Sequence, residues 1–364
     1  MPISLKPKPN IIGKMPMSSL CQTLIRVTLT PPNPNLIANV EQQLDSATPT
    51  EWKNTLETLA IHRIIPLVFY TVKTLKLIDS VPINCLGAMQ AKYNQTRREN
   101  AYRRLMLVSL LRRMEAADLH PIIWKGMVMA EYFYPDPGTR PMSDIDFAIP
   151  GDELEQTTAV FKSLGFLPQL EAETSDAVYF ANQMGVLCDV HHRVRLFEGK
   201  ESMNLTTELK PERMSVPFTV LEPNAMLVHL IVHMDGHRAE TGLLLSWILD
   251  IAFVLRKWGA LLDLEQIQKL MPAQEHSTSL FRTIGFLEKE FGQKIPACLA
   301  EAAKSVKPYS LQEILRQRRL ALWGLPYPRG WLRLGASKLG IPLRYSHPSL
   351  QVNDLFLWLT DLVS

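Results

Sequence analysis

The chain has 364 residues, 46% of them hydrophobic and 21% charged, which suits one large or two modest globular domains and excludes wholesale disorder. Its 39 Lys and Arg residues nearly balance 36 Asp and Glu residues, and a net charge of +3 excludes the polycationic surface of a dedicated nucleic-acid binder. The 4 cysteines lie far apart and form no CxxC pair, so their spacing indicates neither a structural zinc site nor a disulfide framework.

The first part of the chain predicts helices behind an irregular start. Residues 1–36 are dense in proline, which prevents a continuous helix, and predict an irregular lead-in. Residues 37–118 predict a helical region, whose last helix, Tyr93–Glu115, carries six arginines. We interpret these arginines as a solvated face; a basic surface beside an anionic ligand is the alternative. No apolar run is long enough for a signal-peptide core or a membrane span, which predicts a soluble, cytoplasmic protein without a membrane partner.

The pattern changes over residues 119–200, which predict a compact α/β core in the order β-α-β-α-β-β. An apolar run that ends at Trp124 predicts a buried strand, and the residues after Gly126 predict a helix. Asp144–Ile149 predicts the next strand, and two later strands are predicted on either side of a turn. Residues 201–364 return to helix-type spacing and predict a C-terminal helical region.

Three aspartates in the core predict a metal site. Asp144 and Asp146 stand two residues apart on one strand, so both side chains project from the same face. Paired carboxylates of this kind chelate hard divalent cations through oxygen. Asp189 lies on a later apolar strand, where an acid needs a partner or a metal. An Asp-x-Asp pair alone is weak evidence, because paired acids often face solvent at the ends of strands.

Residues before the aspartates predict a phosphate site. Gly126 would let a phosphate approach the backbone, and the helix that begins beside it offers its N-terminus. Arg140 lies just before the acids and is a residue type that binds phosphate through two hydrogen bonds. Lys125 would add a point charge. We expect neither Lys125 nor Arg140 in a packed core; a lysine that points to water is the alternative for Lys125.

The order of these features resembles the polymerase-β-like nucleotidyltransferase superfamily, and more narrowly a bacterial group of uncharacterised nucleotidyltransferases. The resemblance is carried by a strand ending in Lys-Gly, then Arg-Pro-x-Ser-Asp-x-Asp, then an apolar strand with Asp-x-His, and it extends to a helical His…Trp-x-x-Asp stretch that ends at Asp250. Met127 departs from the pattern, because a serine in the superfamily's Gly-Ser motif would give its hydroxyl to the phosphates.

The resemblance implies an α+β fold, with a small mixed β-sheet nucleotidyltransferase core flanked by N-terminal and C-terminal helical regions. It also implies site residues and a cofactor. The catalytic, metal-holding residues would be Asp144, Asp146 and Asp189, with Mg²⁺, or Mn²⁺ in its place. The nucleotide-binding residues would be Lys125, Gly126, Arg140, Ser143 and His191.

The implied reaction moves a nucleoside monophosphate from an NTP, with ATP as the expected donor, to an acceptor hydroxyl and releases pyrophosphate. The acceptor can be a small molecule, a peptide or protein, or an RNA end; the modest charge makes a long nucleic acid the least favoured. Two alternatives stay open. One is transfer of another group, such as a sugar from a nucleotide-sugar, and the other is a non-catalytic nucleotide-binding protein.

Histidines in the C-terminal region offer a rival site. His229, His233 and His237 recur every four residues, so one helical stripe could present imidazoles to a transition metal. The stripe lacks the glutamate of the HExxH zinc-protease signature. We favour packing for these histidines, or a hydrogen bond to Asp250, which needs a partner on its apolar helix.

Overall fold

A mixed β-sheet lies at the centre of the chain in the computed structural model, which describes residues 18–169, 176–193 and 205–322. Within those residues the sheet has 7 strands in the order β3-β4-β5-β2-β1-β7-β6. The strands are β1 Ile122–Trp124, β2 Asp144–Ala148, β3 Leu167–Pro168, β4 Ala177–Ala181, β5 Leu187–His191, β6 Thr206–Leu209 and β7 Phe218–Leu221. Strand β2 runs parallel to β5 and antiparallel to β1, while β1 runs parallel to β7. The α+β class with a mixed sheet is confirmed.

Helices precede and follow the sheet, as predicted. The helices before it are α1 Ser19–Val27, α2 Pro34–Ser46, α3 Pro49–Ile61, α4 Ile65–Thr74 and α5 Ile83–Glu115. Those between its strands are α6 Gly126–Val128, which continues as a π-helical turn over Met129–Phe133, and α7 Leu154–Ser163. Those after it are α8 Pro223–Thr241, α9 Leu245–Trp258, α10 Leu264–Leu270, α11 Gln274–Phe291, α12 Ala297–Ala303 and α13 Leu311–Leu322.

Prolines start helices in this fold as well as interrupting them. Helix α2 has Pro34 in its first turn behind an Asn33 cap, and α3 has Pro49 behind a Thr48 cap. A proline fits the first turn because the amide hydrogen that it lacks has no partner there. Helix α1 lies in the proline-free interval before Pro31, where Ser18 caps it by accepting from the Cys21 amide at 3.2 Å. The predicted irregular lead-in is therefore wrong from residue 19 onward; residues 1–17 lie outside the described residues.

The sheet also extends beyond the predicted core. Strands β6 and β7 lie in the region that was predicted to be helical, and β7 extends the sheet at β1 through the pairing of Ile122 with Thr219. Phe218 and Val220 are buried, so β7 completes the apolar layer that β1 would otherwise expose. A four-residue strand is too short for its periodicity to be told from that of a buried helix segment. Residues 323–364 of the predicted C-terminal region lie outside the described residues.

Helices α3 and α4 meet at a sharp bend. Their axes differ by 119°, and together they have the length and apolar composition of a broken membrane span, whereas no single helix in the described residues is long and apolar enough to cross a membrane. The bend residue Arg63 has a φ of 58°. Beside it, His62 Nδ1 accepts from the Leu245 amide at 3.2 Å, which fixes the bend against the start of α9.

Candidate active site

The structure brings the three predicted aspartates together on neighbouring strands. Asp146 and Asp189 face each other across the parallel pair β2 and β5, and Asp144 lies two residues before Asp146 on β2. Asp146 is 4% exposed and Asp189 is 5% exposed. One ligand atom from each of Asp146, Asp189 and His191 lies within 4.8 Å of the other two. Residues far apart in the chain thus form one buried group of oxygen and nitrogen donors.

Lys125 compensates part of the negative charge. Its Nζ lies 2.8 Å from Asp146 Oδ1. Burial raises the pKa of Asp146 to about 6; Lys125 opposes this shift, while the carboxylates of Asp144 and Asp189 add to it. Burial disfavours the charged form of Lys125, but Asp146 and Asp189 outweigh that effect and raise the pKa of its ammonium. Lys125 is therefore protonated at neutral pH and belongs to the carboxylate cluster, contrary to the expectation that it lies outside the packed core.

His191 and Ser143 extend the cluster on two sides. His191 Nε2 lies 3.0 Å from Asp189 Oδ2, and its ring packs edge-on against Trp124 with centroids 5.1 Å apart. Ser143 donates from Oγ to Asp144 Oδ1 at 3.0 Å. Both side chains thus contact a carboxylate, and their predicted contacts with a nucleotide stay predictions.

The donor set suits a hard divalent cation. Asp146 and Asp189 are buried side by side, so each carboxylate disfavours ionisation of the other. The ammonium of Lys125 lies beside this pair. A divalent cation would supply the missing positive charge, and carboxylate oxygens are the ligands that Mg²⁺ prefers. Asp144, Asp146 and Asp189 could hold such an ion, with the imidazole of His191 next to them.

The turn between β1 and α6 has an unexpected strained residue. Lys125 has φ 51° and ψ −123°, a conformation that normally requires glycine, and a non-glycine residue there costs about 1–3 kcal/mol. Gly126 adopts ordinary helical geometry and is buried; a Cβ on it would meet Met142 Cβ at 3.2 Å. A side chain at this position would therefore crowd Met142. Its predicted place under a phosphate stays a prediction.

Arg140 lies in the packed core, which corrects the expectation that it is outside it. Its Nε donates to Asp250 Oδ1 at 2.8 Å and its Nη2 donates to Asp250 Oδ2 at 2.6 Å. The hydroxyl of Tyr134 donates to the same carboxylate at 2.8 Å, and Asn100 Nδ2 donates to the Arg140 carbonyl at 2.9 Å. The pair joins α9 to the loop that leads into Asp144. Direct contact of Arg140 with phosphate remains a prediction.

The helical histidines pack against tryptophans, as we favoured. His229 stacks on Trp124 with ring centroids 4.4 Å apart and planes 11° apart, and His233 meets Trp247 edge-on at 5.6 Å. Burial lowers the pKa of His229 and His233 well below 6.5, and the nearby Lys125 lowers both further. The alternative was a hydrogen bond from this stripe to Asp250, and the structure gives that carboxylate other partners, since its oxygens accept from Arg140 and Tyr134.

Two further arginines lie near the aspartates, and the sequence did not predict either of them as a site residue. Arg103 on α5 donates from Nη2 to the Ser143 carbonyl at 3.4 Å, which favours the basic-surface interpretation for this part of α5. Arg63 lies close enough to Asp144 for that carboxylate to influence its pKa. Arg63 follows a helix that shows no charge pattern, so no signal in the sequence could have placed it here.

Comparison with known proteins identifies the family. The family model for "uncharacterised nucleotidyltransferase" matches residues 48–292. Among solved structures, the chain is similar to ANT(2″)-Ia in complex with adenylyl-2″-tobramycin, at 16% identity and a TM-score of 0.35 over 46% of this chain and 94% of that one. It is also similar to an antigenic nucleotidyltransferase-like protein from Paracoccidioides brasiliensis, at 16% identity and a TM-score of 0.36 over 54% and 95% of the two chains. No curated protein matches the sequence. Because the family model spans well over half of the chain, the protein belongs to the uncharacterised nucleotidyltransferase family.

Proposed function

We propose that the protein is a Mg²⁺-dependent nucleotidyltransferase that moves a nucleoside monophosphate from an NTP, with ATP as the expected donor, to an acceptor hydroxyl. The observation that carries this proposal is the pairing of buried Asp146 with buried Asp189 across β2 and β5, with Asp144 on the same face. In the reaction the acceptor oxygen bonds to the α-phosphorus, the bond from that phosphorus to the bridging oxygen breaks, and pyrophosphate leaves.

Each residue of the cluster has a role in that reaction. Asp144 and Asp146 would hold the ion that accompanies the phosphates, and Asp146 and Asp189 would hold a second ion near the acceptor. Bound divalent cations lower the pKa of an attacking hydroxyl and stabilise the charge of the transferring phosphoryl group. Lys125, which is protonated beside Asp146, would neutralise part of the phosphate charge. His191, whose Nε2 lies 3.0 Å from Asp189 Oδ2, would help to position the nucleotide.

Metal-dependent nucleotide binding tests this function. We expect titration calorimetry with ATP, CTP, GTP and UTP to show at least one NTP that binds more tightly with Mg²⁺ than with EDTA. Asp144→Asn should remove the Mg²⁺ enhancement, because a carboxamide keeps the shape but loses the charge. Asp152→Asn, at an exposed position outside the cluster, is the control and should bind as the parent does. Equal binding of every NTP with and without chelator would reject the proposal.

Lys125 provides a test that separates charge from backbone strain. Lys125→Met removes the ammonium and keeps the strained conformation, while Lys125→Gly removes both. We expect both variants to lose kcat/KM by a similar factor. The glycine variant should be more stable than the methionine variant by about 1–3 kcal/mol in chemical denaturation, because glycine adopts this conformation without a clash. If the glycine variant is the less stable of the two, the turn stores no strain.

A further inference from the structure

The inner face of α5 holds the loop that leads into β2. Asn100 is fully buried, and its Nδ2 donates to the Pro137 carbonyl at 2.6 Å and to the Arg140 carbonyl at 2.9 Å. Its Oδ1 accepts from Arg103 Nη1 at 3.3 Å, and Arg103 Nη2 donates in turn to the Ser143 carbonyl at 3.4 Å. An asparagine side chain has two donor hydrogens on its nitrogen. Asn100 therefore spends both of them on the loop and its oxygen on the arginine that reaches the end of the loop.

The start of the same loop packs against α5 too tightly for a side chain at Gly138. A Cβ on that glycine would lie 2.8 Å from Arg97 Cβ and 3.0 Å from Tyr93 Cε2. The Tyr93 hydroxyl donates to Asp136 Oδ1 at 2.9 Å, and the same oxygen accepts from the Gly138 amide at 2.8 Å. Positions 93, 97, 100 and 103 recur every three or four residues, which places them on one face of the helix. This face thus contacts the loop from its start to its end.

Asp144 is the carboxylate whose position depends on this loop. The register of β1 with β2 ends at Asp146, so within the described residues Asp144 has a strand partner on one side alone, Leu187 of β5. Asp146 has strand partners on both sides. The carbonyl immediately before Asp144 is the one that accepts from Arg103. The contacts of α5 therefore supply for Asp144 a constraint that a second strand supplies for Asp146.

We propose that Asn100, together with Arg103, positions Asp144 for metal binding and thereby makes the N-terminal helical region part of the active site. This inference rests on the proposed function, in which Asp144 and Asp146 hold the ion that accompanies the phosphates. Asn100 and Arg103 are positioning residues, because they act through the backbone of the loop. Groups that hold a metal ligand in its orientation contribute to metal affinity although they do not contact the ion, and their loss lowers that affinity by roughly 10-fold to 100-fold.

Mn²⁺ alone is the probe, because electron paramagnetic resonance measures its binding to the full chain without turnover. The ion that Asp144→Asn loses identifies the position in question. We expect Asn100→Asp to weaken that ion by roughly 10-fold to 100-fold, because the carboxylate keeps the volume but places acceptors against two loop carbonyls. Arg103→Met should weaken it less, and Arg98→Met, an exposed change on the same helix, should not weaken it. When Asp144→Asn is already present, Asn100→Asp should cause no further loss of Mn²⁺.

Thr96→Val is the matched control for a purely structural effect. Thr96 is buried one turn earlier on α5, and its hydroxyl donates to the Lys92 carbonyl of the same helix at 2.9 Å. Thr96→Val and Asn100→Asp should both lower the melting temperature, but Thr96→Val should bind Mn²⁺ as the parent does.

The outcomes separate this inference from the proposed function. Unchanged Mn²⁺ affinity in folded Asn100→Asp, or an equal loss in Thr96→Val, would overturn the inference while the proposed function stands. If Asn100→Asp does not fold, Arg103→Met decides in its place, because its side chain is partly exposed. If the parent binds no Mn²⁺ that depends on Asp144, the proposed function fails and the inference fails with it.

Discussion

Asp146→Asn is expected to lower turnover by roughly 10³-fold or more, the largest effect of any single change in the site. Asp146 is the carboxylate that faces both others, since it shares a strand face with Asp144 and pairs with Asp189 across β2 and β5. It is also the partner of Lys125 at 2.8 Å. Its replacement removes a ligand from both proposed ion positions, while the Lys125 ammonium keeps the carboxylates of Asp144 and Asp189 nearby. Single-turnover kinetics with the NTP identified by calorimetry will measure the loss.

The melting temperature of Asp146→Asn shows whether a loss of turnover reflects unfolding. Burial and the neighbouring carboxylates raise the pKa of Asp146, so its ionised form is disfavoured in the folded protein. Asparagine removes that cost, and we expect the metal-free variant to melt no lower than the parent. Asp152→Asn, an exposed change of the same chemistry, should alter neither turnover nor melting temperature. An Asp146→Asn variant that keeps more than a tenth of parental turnover would contradict the assignment of this carboxylate.

The aspartate cluster could be predicted from the sequence because its signals are local. The two-residue period of a strand places Asp144 and Asp146 on one face. The acid at position 189 lies in an apolar strand, where its charge needs a partner or a metal. That Asp189 lies opposite Asp146 depends on the pairing of β2 with β5, which the spacing does not give; only the resemblance to the superfamily implies that the third carboxylate joins the other two. Local apolar spacing also predicts the helices of residues 37–118 and those after Pro223, but it misses α1 in the proline-rich start and the strands β6 and β7.

Features that depend on distant partners could not be predicted in this way. Arg140 is predicted to bind phosphate from outside the packed core, because nothing near residue 140 indicates that a carboxylate 110 positions later will neutralise it. The positive φ of Lys125 belongs to the turn between β1 and α6, and a lysine at that position carries no signal for it, because glycine is the residue that normally marks such a conformation. The position of Arg63 follows from the 119° bend between α3 and α4. Pro66, in the first turn of α4, marks a helix boundary in the sequence, but nothing in the sequence gives the angle.

The buried pair of Arg140 and Asp250 is expected to contribute strongly to stability. Asp250→Asn should lower the free energy of unfolding by about 3–5 kcal/mol, because it leaves a buried guanidinium without its counter-charge. Glu313→Gln is the control: Arg282 Nη2 contacts both oxygens of Glu313 at 2.9 Å, but that pair is partly exposed. Its loss should cost about 1 kcal/mol or less. Urea denaturation of the two variants measures the difference.

A double variant then distinguishes pairing from packing. Suppose that Asp250→Asn lowers stability because it leaves Arg140 as an unpaired charge. The double variant Arg140→Met, Asp250→Leu should then recover most of the lost stability, because apolar residues of similar volume often replace a buried ion pair at little cost. Tyr134, which donates to Asp250 at 2.8 Å, loses an acceptor in the double variant, so recovery should stop about 1 kcal/mol short of the parent. A double variant as unstable as Asp250→Asn would mean that the contacts of the loop before Asp144, and not its charge pairing, hold it to α9.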